Sequence, residues 1–191
     1  SQQIKSTGVF FVDAAVSGGP SGARHGACMM IGGDTKAINH LTELFDDLNV
    51  LDGWAHFGST GSGHFVKMVH NGIEYGMMQA IGEGFEVMKK SPHFPDLDLK
   101  KVTHVYNHGS VIQSRLIGWL QEGYQKYGTD LEAISGSINQ SGEGKWTMET
   151  AQEYGIPTPI ISGSVQFRLD SQNNPSYTGQ VVSVLRNMFG G

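Results

Sequence analysis

The sequence predicts a mainly α protein in which a small α/β segment precedes an all-helical domain. Three observations carry this reading. Short β-branched and aromatic runs closed by glycine breakers occupy about the first sixty residues. From Gly61 onward apolar residues recur at helical spacing, and the connections between these helical patterns are short.

Val9 to Val16 (VFFVDAAV) lacks helical spacing and ends at the cluster Ser17-Gly18-Gly19-Pro20, as expected of a buried strand followed by a loop. Cys28 to Ile31 reads as a second short strand, stopped by Gly32-Gly33. Asp34 is then placed to cap one helix running through Ala37, Ile38, Leu41, Leu44, Phe45 and Leu48, before a third strand near Trp54 to Phe57. So few short strands make a poor sheet by themselves, so this segment is expected to be the tail of a larger one. Helical patterns follow from about His64 to Lys90, Leu99 to His108, Val111 to Tyr127, Met148 to Tyr154, Pro159 to Leu169 and Gly179 to Met188. The expected division is therefore residues 1–58 and 59–191. The 27 glycines and six prolines punctuate the chain without a repeat of fixed period.

Composition narrows the function. A net charge of -5, with 13 Lys and Arg against 18 Asp and Glu and no basic run, argues against a nucleic-acid partner held through phosphates. No apolar run reaches the roughly 20 residues of a membrane span, and Ser1-Gln2-Gln3 has no signal-peptide character, so no membrane partner and a cytoplasmic location are expected. The one cysteine, Cys28, lies among apolar neighbours and is expected to be a buried, inert thiol.

The stretch from Gly61 to Gly76 (GSGHFVKMVHNGIEYG) carries the chemistry. Lys67, His70, Asn71, Glu74 and Tyr75 stand at i, i+3, i+4, i+7 and i+8, on one helix face. Phe65, Val66, Met68, Val69, Ile73, Met77 and Met78 occupy the rest, so the helix is expected to be buried, with its polar stripe along an internal cleft. A solvated stripe with a Lys67 to Glu74 surface pair is the plainer alternative. Gly72 and Gly76 weigh against it, because a glycine inside a helix costs about 1 kcal/mol relative to alanine and calls for a close neighbour in return. Desolvation pushes lysine and glutamate each toward its neutral form, which gives a base and an acid. Upstream, Ser17, Gly18 and Gly19 stand at a strand end, where a hydroxyl and backbone N–H groups can meet a ligand.

The ordered series FVDAAVSGG, GARHGACMMIGGD, GHFVKMVHNGIEYGMMQAIGEGF, SGEGKWTMETAQEYGIPTPII and LRNMFGG resembles the β-hydroxyacid dehydrogenase superfamily and, in detail, the short bacterial form of decarboxylating 6-phosphogluconate dehydrogenase. The resemblance implies that the α/β segment is a remnant of a Rossmann-type domain and that the helical part binds substrate and dimerises. It implies Lys67 as the general base at the substrate 3-hydroxyl and Glu74 as the acid that protonates C1 after decarboxylation. It implies that Ser17, Gly18, Gly19, His70 and Asn71 contact the carboxylate and hydroxyls. Tyr75 and Arg168 would hold the phosphate, with Arg186 reaching the neighbouring subunit's site in a homodimer or higher homo-oligomer. Guanidinium forks and a hydroxyl donor suit a phosphate.

Where long-form members carry a lysine and a threonine before GKW, this chain has Ser141, also carried over as a substrate contact, and Glu143. The implied cofactor is NAD or NADP. No Gly-x-Gly-x-x-Gly follows a first strand, so the nucleotide-phosphate turn is expected upstream and this chain alone is expected not to transfer hydride. A 3-hydroxyisobutyrate-type dehydrogenase and a non-catalytic helical dimerisation module remain the alternatives. No metal site is expected: His104 and His108 share a face without a third ligand. Trp54, Trp119 and Trp146 are expected as core anchors and Asp46-Asp47 as a solvated helix end.

Overall fold

The computed structural model describes residues 7–139 and 142–190. The chain forms two compact units, one ending at Asn71 and the next beginning at Gly72.

In the first unit, strands β1 (Val12–Ser17), β2 (Ala27–Gly33) and β3 (Asn49–His56) form one sheet in the order β1-β2-β3. β1 runs antiparallel to β2, with Ala14 opposite Ile31, and β2 runs parallel to β3. Helix α1 (Gly19–His25) links the first two strands, and α2 (Thr35–His40) and α3 (Thr42–Leu48) link the second pair. Ile31, Ile38 and Phe45 make the core, with Trp54 packed against Phe45 at 5.1 Å between ring centroids.

The Asp34 cap is where the spacing puts it: its carboxylate accepts from Lys36 N at 2.9 Å. The single helix expected after it is two. At Leu41 the backbone leaves the helical region (φ -101°, ψ 7°), and its N–H is shared between the carbonyls of Ala37 and Ile38. The Thr42 hydroxyl donates to Asn39 O at 3.1 Å, one of the local side-chain bonds that compete with helix continuation. α1 was not anticipated, because GPSGARH carries no apolar period. Cys28 corrects the expected buried thiol: it pairs with Ser17 at the last rung of the β1–β2 ladder and is exposed. Position along the strand outweighs apolar neighbours in sequence.

The 28-residue helix α4 (Ser62–Lys89) starts in the first unit, against the backbone of β2. A Cβ on Gly63 would stand 2.4 Å from Met30 O, so only glycine permits this approach.

The second unit is helical, as expected: the rest of α4, then α5 (Leu99–Tyr106), α6 (Arg115–Tyr127), α7 (Glu143–Glu153), α8 (Pro159–Asp170) and α9 (Tyr177–Met188). Its core gathers Phe85, Leu120, Tyr124, Leu131, Val181 and Leu185. Asp98, Ser114 and Ser176 cap α5, α6 and α9. The Ser114 cap on Ile117 N sets the start of α6 and leaves Val111 and Ile112 exposed, which corrects the earlier start read from hydrophobicity. Tyr124 and Tyr177 share a hydroxyl hydrogen bond of 2.9 Å, and Tyr177 also donates to Thr129 O at 2.7 Å. Burial pushes the Tyr177 phenol up to about 12, so this internal pair stays neutral.

Two expectations about apolar residues fail here. α4 is not buried around its circumference, since Phe65 (44%), Ile73 (53%) and Met77 (44%) are exposed. Trp146 is 53% exposed and not a core anchor, because the inner positions of α7 are taken by Gly144, Thr147 and Ala151. Among the described residues no helix is long and apolar enough to cross a membrane.

Candidate active site

The functional side chains of the first unit form one hydrogen-bonded group. Lys67, His70 and Asn71 project from one face of α4, as the spacing requires. Lys67 Nζ donates to Asn71 Oδ1 at 2.8 Å and lies 3.4 Å from His70 Nδ1, which is itself 2.9 Å from Asn71 Oδ1. His70 Nε2 reaches Ser17 Oγ at 3.3 Å, so the loop after β1 joins the helix face. Ser17, Lys67, His70 and Asn71 are all half-buried. Next to Ser17, Gly18 (φ 122°) and Gly19 (φ 61°) adopt left-handed backbone conformations that start α1. The group can therefore offer a substrate a hydroxyl, an imidazole, an amide and an amine from fixed positions.

Asp13 holds this group in place and was missed in the sequence reading. Its carboxylate accepts from Gly61 N at 2.5 Å and from His64 N at 3.0 Å, and His64 Nδ1 lies 3.2 Å away. A side chain on β1 thus satisfies the start of α4, four residues before Ser17 on its own strand. The available signal was an acid inside the apolar run FFVDAAV. Burial pushes the Asp13 carboxyl up, but the two backbone donors and the His64 ring together hold it below the ordinary 3.8. A lowered carboxyl contributes stability above that value and loses it as pH falls through the lowered one. Urea unfolding of the first unit followed at descending pH is accordingly expected to show stability falling below pH 3.8, and Asp13→Asn to flatten that dependence while lowering stability at neutral pH.

The second unit carries a buried cation. Arg168, on α8, is 2% exposed, and its guanidinium lies over the Tyr75 ring of α4 at 3.4 Å from the centroid. The backbone at Gly144 meets the same ring: a Cβ there would stand 2.4 Å from Tyr75 Cδ2. Gly72 and Gly76 have the close neighbours their presence in a helix implied, Thr147 and Ile160 respectively. Arg168 Nη2 is buried without a hydrogen-bond partner among the described residues, and so is Glu143 Oε2. Burial pulls the guanidinium down to about 10; Tyr75, Glu74 and Glu143 oppose that shift, and the positive charge of Arg186 reinforces it. The arginine stays charged at neutral pH, and a buried cationic N–H is costly unless an acceptor or an anion meets it.

Arg186, on α9, donates to Asn139 O within its own chain. Glu74 is half-buried on α4. Ser141 lies outside the described residues. No group of three His, Cys, Asp or Glu side chains suited to a metal occurs among the described residues. Nor does a dinucleotide-phosphate turn: β1 and β2 are antiparallel, and the helix between them has seven residues. No described residue is therefore assigned to a nicotinamide cofactor.

Comparison with known proteins agrees with this architecture. Residues 63–184 match the family described as 6-phosphogluconate dehydrogenase, C-terminal domain, and residues 1–51 match the NAD binding domain of 6-phosphogluconate dehydrogenase. The Bacillus subtilis protein YqeC, whose name places it provisionally among 6-phosphogluconate dehydrogenases, is 50% identical over 189 residues, covering 99% of this chain and 63% of that protein. The NAD(+)-dependent, decarboxylating 6-phosphogluconate dehydrogenase of Haloferax volcanii is 46% identical over 122 residues, 63% of this chain and 40% of its own length. A solved structure of Plasmodium falciparum 6-phosphogluconate dehydrogenase superposes with a TM-score of 0.81 at 33% identity, over 91% of this chain and 39% of that one. The chain thus spans less than two thirds of these relatives.

Proposed function

Because the chain belongs to the 6-phosphogluconate dehydrogenase family, we propose that it is the part of such an enzyme that binds 6-phosphogluconate and carries its acid and base, with residues 1–58 as the end of a nucleotide-binding domain and 59–191 as the substrate-binding and dimerisation domain. The observation that carries the reading is the buried Arg168 on the Tyr75 ring, its Nη2 without a partner among the described residues, which suits a phosphoryl oxygen. Arg186 supplies a second guanidinium to a phosphate, across a homodimer interface.

Ser17, Gly18, Gly19, His70 and Asn71 hold the carboxylate and hydroxyls of the substrate. Lys67 takes the proton of the 3-hydroxyl as the C3 hydride departs, and its ammonium then polarises the 3-keto oxygen. The C1–C2 bond breaks, carbon dioxide leaves, and the electron pair stays in an enediol. Glu74 delivers a proton to the carbon that was C2 of the substrate, now C1 of the product, giving ribulose 5-phosphate. NAD or NADP supplies the hydride acceptor when bound. Asn71 and His70 fix the Lys67 amine by the contacts described, so that it meets the hydroxyl without reorganising.

Calorimetry tests the assignment. The chain is expected to bind 6-phosphogluconate and not 3-hydroxyisobutyrate; equal binding of the two, or none of the first, overturns it. In the intact enzyme, Lys67→Met is expected to lower kcat by about 10²–10⁴-fold, the usual scale of a general base, with little change in KM. A steady-state assay across pH checks this, and unchanged kcat would remove Lys67 from the chemistry.

A further inference from the structure

Gly144 and Arg168 hold the Tyr75 ring from opposite sides. A Cβ on Gly144 would lie almost as close to Tyr75 Cε2 (2.6 Å) and Cγ (2.9 Å) as to Cδ2 between them. Near-equal distances to three consecutive ring atoms put that position over the face of the ring, because an approach in the ring plane would meet Cδ2 well ahead of its neighbours. The Arg168 guanidinium carbon, 3.4 Å from the ring centroid, also stands over a face. On the same face it would crowd the added Cβ as closely as the ring does, yet the three atoms nearest that Cβ all belong to the ring. The order is therefore α7 backbone, phenol ring, guanidinium. At 3.4 Å the guanidinium must lie flat, since an upright fork would drive a nitrogen into the ring. Its N–H bonds then leave in a plane parallel to the ring. The tilt of the ring thus sets the direction in which Nη2, buried and without a partner among the described residues, offers its hydrogens. That tilt is fixed from the far side by the backbone at Gly144, which only a residue without a side chain lets come so near.

Resting on the phosphate reading of this site, we propose that Gly144 is a positioning residue for anion binding: its bare backbone sets the tilt of the Tyr75 ring and, through the ring, aims the Arg168 fork at a phosphoryl group. A methyl at this position tips the ring, and the fork lying on it turns as well. The buried N–H then points away from the anion, with the charge of the arginine unchanged.

The experiment is calorimetric titration of the 191-residue chain with 6-phosphogluconate, for the wild type, Gly144→Ala, Gly123→Ala, Tyr75→Leu, and Tyr75→Leu combined with Gly144→Ala. Gly144→Ala is expected to weaken binding at least about tenfold, the scale of a misdirected hydrogen bond from a charged group. Gly123→Ala is the control for crowding alone: its methyl presses on Val184 and Met188 instead of the ring, and it is expected to lower Tm while leaving affinity within about threefold. With the ring gone the methyl has nothing to tip, so the double variant is expected to bind as Tyr75→Leu does, within about twofold. Tyr75→Leu also makes room for the methyl, so this comparison decides the matter where Gly144→Ala alone does not fold. Unchanged affinity in folded Gly144→Ala, an equal loss in Gly123→Ala, or a further loss of about tenfold in the double variant overturns the proposal and leaves the phosphate reading standing. A wild-type chain that does not bind 6-phosphogluconate overturns both.

Discussion

Gly179→Ala is expected to destabilise the second unit strongly. A Cβ at this position would lie 1.8 Å from the carbonyl oxygen of Gly136 and 2.7 Å from its carbon. The obstacle is backbone, so no rotamer change relieves it. Gly136 in turn has Ser176 N and O within 2.7 Å of its own Cβ position, so the two segments touch through glycine from both sides. Separating them would drag the first turn of α9 away from its Ser176 cap and from Glu86, whose carboxylate accepts from Thr178 N at 2.9 Å. It would also open the layer formed by Val181, Val182 and Leu185. Overpacking against a rigid wall costs typically 1–3 kcal/mol, and loss of the cap adds roughly 1 more. At about 2–8 °C per kcal/mol, a fall in Tm of at least about 4 °C by scanning calorimetry is expected. A shift of only a degree or two would show that the Gly136 segment yields freely.

Arg168→Met is expected to divide binding from stability. Removing the guanidinium takes away the charged donor proposed for the phosphoryl group, and affinity for 6-phosphogluconate should fall by at least about 100-fold, the scale of losing a buried charge-assisted contact. Stability should hold or rise, because an apolar side chain of similar volume removes a buried cation whose Nη2 has no partner among the described residues. Calorimetric titration and thermal unfolding of one preparation check both halves. Arg168→Lys should rescue little of the affinity, since a point charge on a flexible stem does not reproduce the planar fork lying on the Tyr75 ring. A variant that loses stability and keeps its affinity would make Arg168 a packing residue.

Both effects begin in features visible along the chain to different degrees. The face shared by Lys67, His70 and Asn71 follows from a 3.6-residue period, and the Asp34 cap from local hydrogen-bond chemistry. Each depends only on residues a few positions apart, which is why periodicity was enough. The glycines at 72 and 76 announced close neighbours without saying which. Glu143 showed itself as a departure from the family's pattern, but its buried oxygen, without a partner among the described residues, did not.

What local pattern could establish, then, was the polar face of the long helix, the helical class of the larger part and the family. Residue type, spacing and capping are properties of neighbours in the chain, and they survive any arrangement of the elements around them. Which face of an element meets another is a property of distant neighbours, and that awaited the fold. It set Cys28 and Trp146 in solvent despite their apolar character, exposed one side of α4, and broke the second helix at Leu41. It also turned an inconspicuous acid, Asp13, into the anchor of the start of α4, because a carboxylate on β1 meets the free N–H groups of residues about fifty positions later.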